Sequence, residues 1–254
     1  MPCPKWARVS VVHRQSRGKA CVRSVGRHSL PFVRWHSRSI STKPTLRQGR
    51  FCWRWAAWCR DARCPCTWRG LLVSALEPRP EDVILDVGCG TGTLAIMIKR
   101  QCPHARVIGL DPDPAVLRVA HRKAIHAGVA IELIEGRADR ILDVVPRGAS
   151  NKVVSSLVFH HLPLAAKRTA LKAIFAILAR GGGLYVADYG WQRTWLMRRL
   201  FRLVQHLDGF ETTQPNADGA LPGLMAETGF DGVIEAHVVL TPTGSISLYA
   251  AHRS

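Results

Sequence analysis

The stretch LDVGCGTGTLA, residues 85–95, restricts the possible folds of this chain more than any other feature. The apolar, β-branched run at 82–88 predicts a buried strand, and residues 93–102 predict a helix with one apolar face. The turn between them carries three glycines, Gly88, Gly90 and Gly92. Glycine is needed where a chain turns sharply and where a ligand must approach the backbone. The stretch predicts a strand–turn–helix unit, either a tight turn alone or a turn that binds a ligand.

Strand and helix signals alternate along the rest of the chain. A helix is predicted at 113–128, because Asp113 can cap it, Pro114 suits its first position and Gly128 follows its end. Further strands are predicted at 105–111, 130–136, 152–159, 183–190, 232–240 and 245–251, with helices at 165–183 and about 191–207 followed by a loop. This alternation predicts an α/β fold with a doubly wound, mostly parallel sheet. Only TPTG separates the last two strands, so they are expected to be antiparallel.

Aspartates follow the next two predicted strands. Asp111 ends the strand at 105–111, where a carboxylate can accept hydrogen bonds from both hydroxyls of a ribose. Asp139 ends the sequence GRAD and could accept a hydrogen bond from an adenine amino group, with Ala138 packed nearby. In a doubly wound sheet, ligands bind at the carboxyl ends of the strands. The spacing G-x-G-x-G, with an aspartate before the turn, differs from the G-x-G-x-x-G of dinucleotide sites.

The net charge of +18 is concentrated in the first 70 residues. Residues 1–70 contain 16 Lys and Arg against a single acid, Asp61, whereas residues 71–254 contain 20 against 17 acids. Six of the eight Cys and six of the eight Trp also lie in the first 70 residues. We therefore predict a basic segment at 1–69, irregular over roughly its first 65 residues and not a folded domain, and a near-neutral folded domain at 70–254.

Two kinds of targeting signal are not found in the sequence. No apolar run approaches the ~20 residues that a membrane-spanning helix needs. No signal-peptide core follows the N-terminal charges. We therefore expect a soluble, cytoplasmic protein.

Together the motifs of residues 71–254 resemble the class I S-adenosylmethionine-dependent methyltransferases, and among them the small-molecule group that includes the ubiquinone- and menaquinone-biosynthesis enzymes. The resemblance is carried by VILDVGCGTGTLA, VIGLDPDPAVLRVA, GRAD, VVSSLVFHHL and LARGGGLYVADYG. It implies a Rossmann-like, seven-stranded, mostly parallel sheet with an antiparallel last strand. It also implies S-adenosylmethionine as cofactor and in-line transfer of its methyl group to a small-molecule acceptor.

The resemblance further implies a set of cofactor-binding residues. They are Asp86, Gly88, Cys89, Gly90, Gly92, Asp111, Pro112, Ala138, Asp139 and Ser156. By motif position, the methionine part would lie against the glycine turn, the ribose against Asp111, and the adenine between Ala138 and Asp139. No metal site is predicted in this domain.

An acceptor that must lose a proton can require a base, and the sequence leaves open whether one is used. His160 and His161 follow the fourth strand, where the transferable methyl group should point, and His161 is the candidate catalytic residue. A packing role for both histidines is the alternative. At the start of the same strand, Asn151 and Lys152 replace the Phe-Asp that this group commonly has, which we expect to alter a surface contact and not the site.

The composition of residues 1–69 allows four interpretations. A zinc knuckle is disfavoured, because Cys64 and Cys66 are separated by one residue and the other Cys and His show no regular spacing. Arginines and tryptophans could bind single-stranded nucleic acid, and the acid-free residues 1–50 formally match a mitochondrial transit peptide. We favour the hypothesis of a GC-rich gene read out of frame, because Arg, Trp, Cys, Pro, Ser and His dominate while Asp, Glu and Tyr are almost absent.

Other functions remain open from the sequence alone. A nucleic-acid or protein methyltransferase is disfavoured, because SSLVFHHLP and not Asn/Asp-Pro-Pro-aromatic follows the fourth strand, and because 71–254 is nearly neutral. A nucleic-acid-associated protein would bind through the basic segment. An inactive product would lack the N-terminal helices that usually cover the cofactor in this family. We predict a small-molecule methyl acceptor and no nucleic-acid partner.

Overall fold

The computed structural model describes residues 67–254. Residues 1–66, and with them the interpretations of the basic segment, lie outside the described residues. Helix α1 (Trp68–Leu76) opens the described chain, and the Thr67 hydroxyl caps it by accepting a hydrogen bond from the Gly70 N–H at 3.2 Å. The helix thus begins two residues before the predicted boundary at residue 70.

A seven-stranded sheet forms the centre of the described residues. Its strands are β1 (Val83–Val87), β2 (Arg106–Asp111), β3 (Glu132–Glu135), β4 (Ser150–Ser156), β5 (Leu178–Tyr189), β6 (Asp231–Thr241) and β7 (Gly244–His252). They lie in the order β3–β2–β1–β4–β5–β7–β6. The first five pair in parallel, whereas β7 is antiparallel to both β5 and β6. The predicted Rossmann-like sheet with an antiparallel last strand is confirmed.

Helices cover both faces of this sheet. After α1 they are α2 (Thr93–Gln101), α3 (Pro114–Ala127), α4 (Leu164–Ile177), α5 (Trp195–Asp208), α6 (Phe210–Ala217) and α7 (Ala220–Thr228). On β1, Leu85 and Val87 join one core with α4 and α7, while Ile84 joins the other core with α1, α2 and α5. Side chains alternate in this way because neighbouring residues of a strand point to opposite faces. None of the helices in 67–254 is long and apolar enough to cross a bilayer.

Two predicted boundaries in the second half of the domain are wrong. The helix predicted at 165–183 ends at Ile177, and β5 begins at Leu178, which pairs with Ser150. The glycines at 181–183 cannot sustain a helix, and Gly181 adopts a left-handed φ of 77°. The loop predicted after residue 207 contains the short helices α6 and α7. Their sequences have little helical signal, but packing of buried side chains such as Met225 stabilises them.

A buried carboxylate joins the amino ends of β1 and β4, at the edge of the sheet opposite the glycine turn. Asp82 accepts hydrogen bonds from the Arg79 N–H at 2.7 Å and from Asn151 Nδ2 at 2.8 Å, and Lys152 Nζ lies 2.8 Å from it. Asn151 also accepts a hydrogen bond from the Val83 N–H at 2.7 Å. The two residues that depart from the family pattern are therefore bonded to this carboxylate, far along the strands from the turn.

We predict that Asp82→Ala lowers the free energy of unfolding by about 3 kcal/mol, because it leaves a largely buried lysine and an asparagine amide without their acceptor. Urea denaturation followed by circular dichroism measures this. The matched control is Asp143→Ala, since Asp143 is exposed and has no hydrogen-bond partner among residues 67–254; it should change the value by less than about 0.5 kcal/mol. Equal losses in both variants would contradict the prediction.

Candidate functional site

A cavity of about 460 Å³ opens at the carboxyl ends of β1, β2 and β4. Eight residues predicted from the sequence line it, namely Asp86, Gly88, Cys89, Gly90, Asp111, Pro112, Ser156 and His161. Its volume lies in the range of small-molecule sites. The structure therefore brings together residues from three separate strand ends, as expected for a doubly wound sheet.

Three predicted residues do not line this cavity. Gly92 is the N-cap of α2, and a side chain there would press on Ala120. Ala138 packs against the hydrophobic core. Asp139 forms a two-point ion pair with Arg137, at 2.9 and 3.1 Å, and lines a separate surface depression. The end of the site predicted for adenine is thus not part of the cavity in this structure.

The glycine turn is shaped by contacts on two sides. Gly88 has a φ of 69°, and a Cβ there would collide with the Val158 side chain. Gly90 has a φ of 53°, but a Cβ there would meet nothing within 4 Å, so this face of the backbone is open. Cys89 is buried, and it packs so closely on Gly109 that an added Cβ at 109 would lie 2.8 Å from its Sγ. Burial raises the pKa of the Cys89 thiol well above its usual range, so the thiol serves packing and not nucleophilic chemistry.

Asp111 closes the turn onto β2. Its carboxylate accepts hydrogen bonds from the Gly90 N–H at 2.9 Å and the Asp113 N–H at 3.0 Å, one on each oxygen. The Leu110 carbonyl accepts two more hydrogen bonds, from the Gly88 and Cys89 N–H groups. Because each carboxylate oxygen can accept about two hydrogen bonds, Asp111 keeps acceptor capacity towards the cavity.

Asp86 is an unpaired buried acid. It is fully buried, and neither carboxylate oxygen has a hydrogen-bond partner among the described residues. Burial raises the pKa of Asp86 from 3.8 to about 7, because desolvation penalises the ionised form. The Ala95 N–H, which is nearby but makes no hydrogen bond of normal geometry, and the Arg69 guanidinium offset this only in part. Arg69 lines the same cavity, and burial lowers its pKa. The cavity therefore contains an acid and a guanidinium that do not form an ion pair with each other.

The loop after β4 forms the opposite wall and is fixed by Asp188. This buried carboxylate accepts hydrogen bonds from the Val158 N–H at 2.9 Å, the Phe159 N–H at 2.6 Å and the Tyr189 N–H at 2.7 Å. The loop begins with Leu157, a non-glycine residue in the left-handed region with a φ of 60°. Its N–H donates to the Ala187 carbonyl at 2.8 Å, which holds this costly conformation.

The two histidines of the loop have different environments. His160 is buried, and its Nδ1 lies 2.7 Å from Asp188 Oδ1. His161 is half-exposed and lines the cavity, with its Nδ1 3.7 Å from Asp208. Burial and the neighbouring His160 lower the pKa of His161 below 6.5, although Asp208 opposes this. His161 is therefore mainly neutral at pH 7, the form that can accept a proton, whereas one ring nitrogen of His160 is committed to Asp188.

Sequence reasoning missed three residues of this site. Arg69 was assigned to the basic segment, although it lies on α1 and lines the cavity. Asp188 follows the apolar part of β5 within the motif LYVADYG, and its position at a strand end was the one available signal. Leu157 gave no signal, because a positive φ at leucine is not predictable from residue type.

Comparison with known proteins finds sequences similar to this domain. Residues 84–182 match the model of a family described as a methyltransferase domain. Demethylmenaquinone methyltransferase of Thermus thermophilus is 37% identical over 123 residues, which are 48% of this chain and 54% of that protein. Ubiquinone biosynthesis O-methyltransferase of a Methylobacterium species is 37% identical over 134 residues, 52% of this chain and 49% of that protein. The chain thus spans about half the length of these curated relatives.

A solved structure shares the fold. Magnesium protoporphyrin IX methyltransferase of Synechocystis, crystallised with bound SAH, superposes with a TM-score of 0.56 at 17% identity, over 73% of this chain and 82% of that one. Residues 84–182 thus match a methyltransferase domain, and the described part of the chain shares the fold of this solved methyltransferase.

Proposed function

We propose that residues 67–254 bind S-adenosylmethionine in the cavity and transfer its methyl group to a small-molecule acceptor. The observation that carries the proposal is Asp86, a buried carboxylate without a hydrogen-bond partner beside the glycine turn of a methyltransferase domain. An unpaired buried acid is costly, so its presence at a cavity wall indicates a ligand that supplies donors.

The charges of the cavity suit the amino-acid end of this cofactor, which carries an ammonium and a carboxylate group. Asp86 would accept hydrogen bonds from the ammonium group, and Arg69 would donate to the carboxylate. The open face of Gly90 leaves room for a ligand against the backbone. Asp111 has acceptor capacity left for the ribose hydroxyls.

The adenine end requires a rearrangement if Ala138 and Asp139 hold it. Asp139 is engaged by Arg137, whose side chain is 60% exposed. Exposed ion pairs contribute little, roughly 0–1 kcal/mol, so this pair can open at small cost. We propose that Asp139 exchanges the guanidinium for the adenine amino group when the cofactor binds.

Methyl transfer requires the chain to align the acceptor, to exclude water and to accept a proton. When bound, the cofactor supplies an electrophilic methyl group on a sulfonium. The chain must align the acceptor, for which the walls formed by the glycine turn and the loop after β4 are fixed by hydrogen bonds. Leu157 and Leu162 line the cavity and would limit access of water. His161, neutral at pH 7, would accept the proton of a hydroxyl or ring carbon acceptor.

We propose a quinone-type or related aromatic ring as the first acceptor class to test. The support comes from two relatives, whose names refer to demethylmenaquinone and ubiquinone biosynthesis and of which the chain covers about half. Incubation of the full chain with radiolabelled cofactor and a panel of hydroxylated quinols, followed by extraction of labelled product, tests this class. Transfer only to nucleic acid or protein would refute it.

Asp111→Ala should abolish measurable binding of S-adenosylhomocysteine to the full chain, because it removes the proposed ribose acceptor and releases the Gly90 N–H. Two lost hydrogen bonds to a charged group correspond to a loss of at least about 100-fold in affinity. Isothermal calorimetry measures it.

The matched control for this experiment is Asp113→Asn, two residues away. Asp113 caps α3 by accepting hydrogen bonds from the Ala115 and Val116 N–H groups, a role that asparagine can take over. The control should bind with nearly unchanged affinity. Equal binding by both variants would show that Asp111 does not hold the ligand.

Asp86→Asn should stabilise the ligand-free chain increasingly as the pH rises from about 4 to about 7. The folded pKa of Asp86, about 7, lies above its ordinary 3.8, so the folded state keeps a proton that the unfolded state has lost in this interval. The wild-type chain therefore loses stability with rising pH through this interval, and the asparagine variant lacks this loss. Urea denaturation at several pH values measures the difference between the two chains. A difference that is constant with pH would contradict the assignment.

His161→Asn should lower the turnover of an identified acceptor by about 100-fold or more while leaving S-adenosylhomocysteine affinity unchanged, because a general base contributes roughly that factor. The matched control is His206→Asn, an exposed histidine on α5 that contacts Phe210 and does not line the cavity. A parallel fall in cofactor affinity, or a turnover equal to that of the control, would assign His161 a packing role.

A further inference from the structure

Large apolar side chains are exposed along one helix. On α5, the exposed fraction is 78% for Leu207, 73% for Trp195 and 59% for Leu203. Leu196 is also exposed. On a helix with 100° per residue, the three leucines fall within an arc of about 40°. We call these four residues together with Arg199 and Arg202 the outer face of α5.

The outer face is not needed for the core. A separate side of α5 is already apolar and buried: Met197, Phe201 and Val204 lie on it, and Phe201 and Val204 pack in one core with residues of α1 and β7. A helix that needs only one apolar stripe thus carries a second one. Exposed apolar residues that are clustered, and not scattered singly, indicate an interaction surface.

The exposed charged side chains of α5 are all arginines, and its one acid, the partly buried Asp208, faces His160 and His161. Arg198, Arg199 and Arg202 are exposed, and within residues 67–254 none of them forms an ion pair. Neighbouring Arg193, by contrast, is paired with Glu235, and its guanidinium lies over the Trp191 ring. Trp191 and Phe210, at either end of α5, add exposed aromatic area to the same segment.

We infer that the outer face of α5 docks on an anionic lipid surface. Leucines on one stripe, flanked by arginines and a tryptophan, match a helix that lies in the membrane interface, with leucines among the acyl chains and guanidinium groups at phosphates. A two-fold contact between copies would bring unpaired arginines together and is therefore disfavoured. Nucleic acid would use the arginines and leave the leucines exposed.

The test is site-specific photo-crosslinking, because the strongly basic residues 1–70 will themselves bring the full chain to anionic vesicles. Benzoylphenylalanine is introduced at position 203 or 207 of the full chain, or at position 125 as the matched control. Ile125 is 59% exposed and lies on α3. Vesicles of phosphatidylcholine mixed with phosphatidylglycerol are irradiated with each protein, and pure phosphatidylcholine vesicles serve as the neutral reference.

We expect lipid adducts at positions 203 and 207 that are at least tenfold more abundant than those at position 125. These adducts should be much reduced on neutral vesicles. Equal labelling at 125, or equal labelling on neutral vesicles, would overturn the inference. Adducts to a second copy of the chain or to added nucleic acid, in place of lipid, would also overturn it.

A second measurement separates the leucines from the basic segment. The double variant Leu203→Gln/Leu207→Gln should bind the mixed vesicles at least tenfold more weakly at high salt, where charge attraction is screened and apolar insertion persists. Ile125→Gln is the control and should bind as the wild type does. Circular dichroism verifies that both variants fold, as expected for exposed positions. Unchanged binding of the double variant would refute docking through this face.

Discussion

The buried carboxylate of Asp188 is the interaction on which the cavity depends. It accepts hydrogen bonds from backbone N–H groups on both sides of the gap between β4 and β5, and it contacts the His160 ring. A charge in the core is tolerable only when its oxygens are fully hydrogen-bonded, and here the loop after β4 supplies the donors. The position of Val158 under the glycine turn, and of His161 at the cavity, follows from this one anchor.

A second buried charge extends the same wall. Lys167 on α4 is almost fully buried and donates to the carbonyl oxygens of Leu162, in the loop, and Thr212, on α6. Burial lowers its pKa to about 8, with Asp188 opposing. Asn216 on α6 in turn donates to the Tyr189 carbonyl at 3.0 Å. These polar contacts thus connect the loop, α6 and the end of β5. They stabilise α6, a short helix of weak propensity, beside the wall of the cavity.

Sequence reasoning predicted the parts of the fold that are repeated patterns. The strands around LDVGCGTGTLA, the caps of α3 and the antiparallel last strands follow from periodicity and from residues with restricted roles, and all are present. The errors fall where tertiary contacts decide. The end of α4 depends on the pairing of Leu178 with Ser150, and α6 and α7 depend on burial of side chains that carry no helical period.

The residues that line the cavity could likewise be predicted only in part. Residues at strand ends, such as Asp86 and Asp111, could be identified because chain order alone places them at one edge of a parallel sheet. Arg69 was not identifiable, because it comes from a helix that precedes the motifs and its neighbours have an unusual composition. Asp139 was predicted from the sequence to bind adenine, but in the structure its carboxylate is paired with Arg137 and does not line the cavity.

The left-handed backbone of Leu157 affects which substitutions this position can accept. A left-handed conformation costs a leucine about 1–2 kcal/mol, and glycine would remove that cost. Glycine would, however, delete an apolar side chain from the cavity wall and give the loop more freedom in the unfolded state. Relief of backbone strain and retention of an apolar cavity wall therefore act in opposite directions on a single residue. A glycine at 157 would relax the backbone and remove the apolar wall in one step.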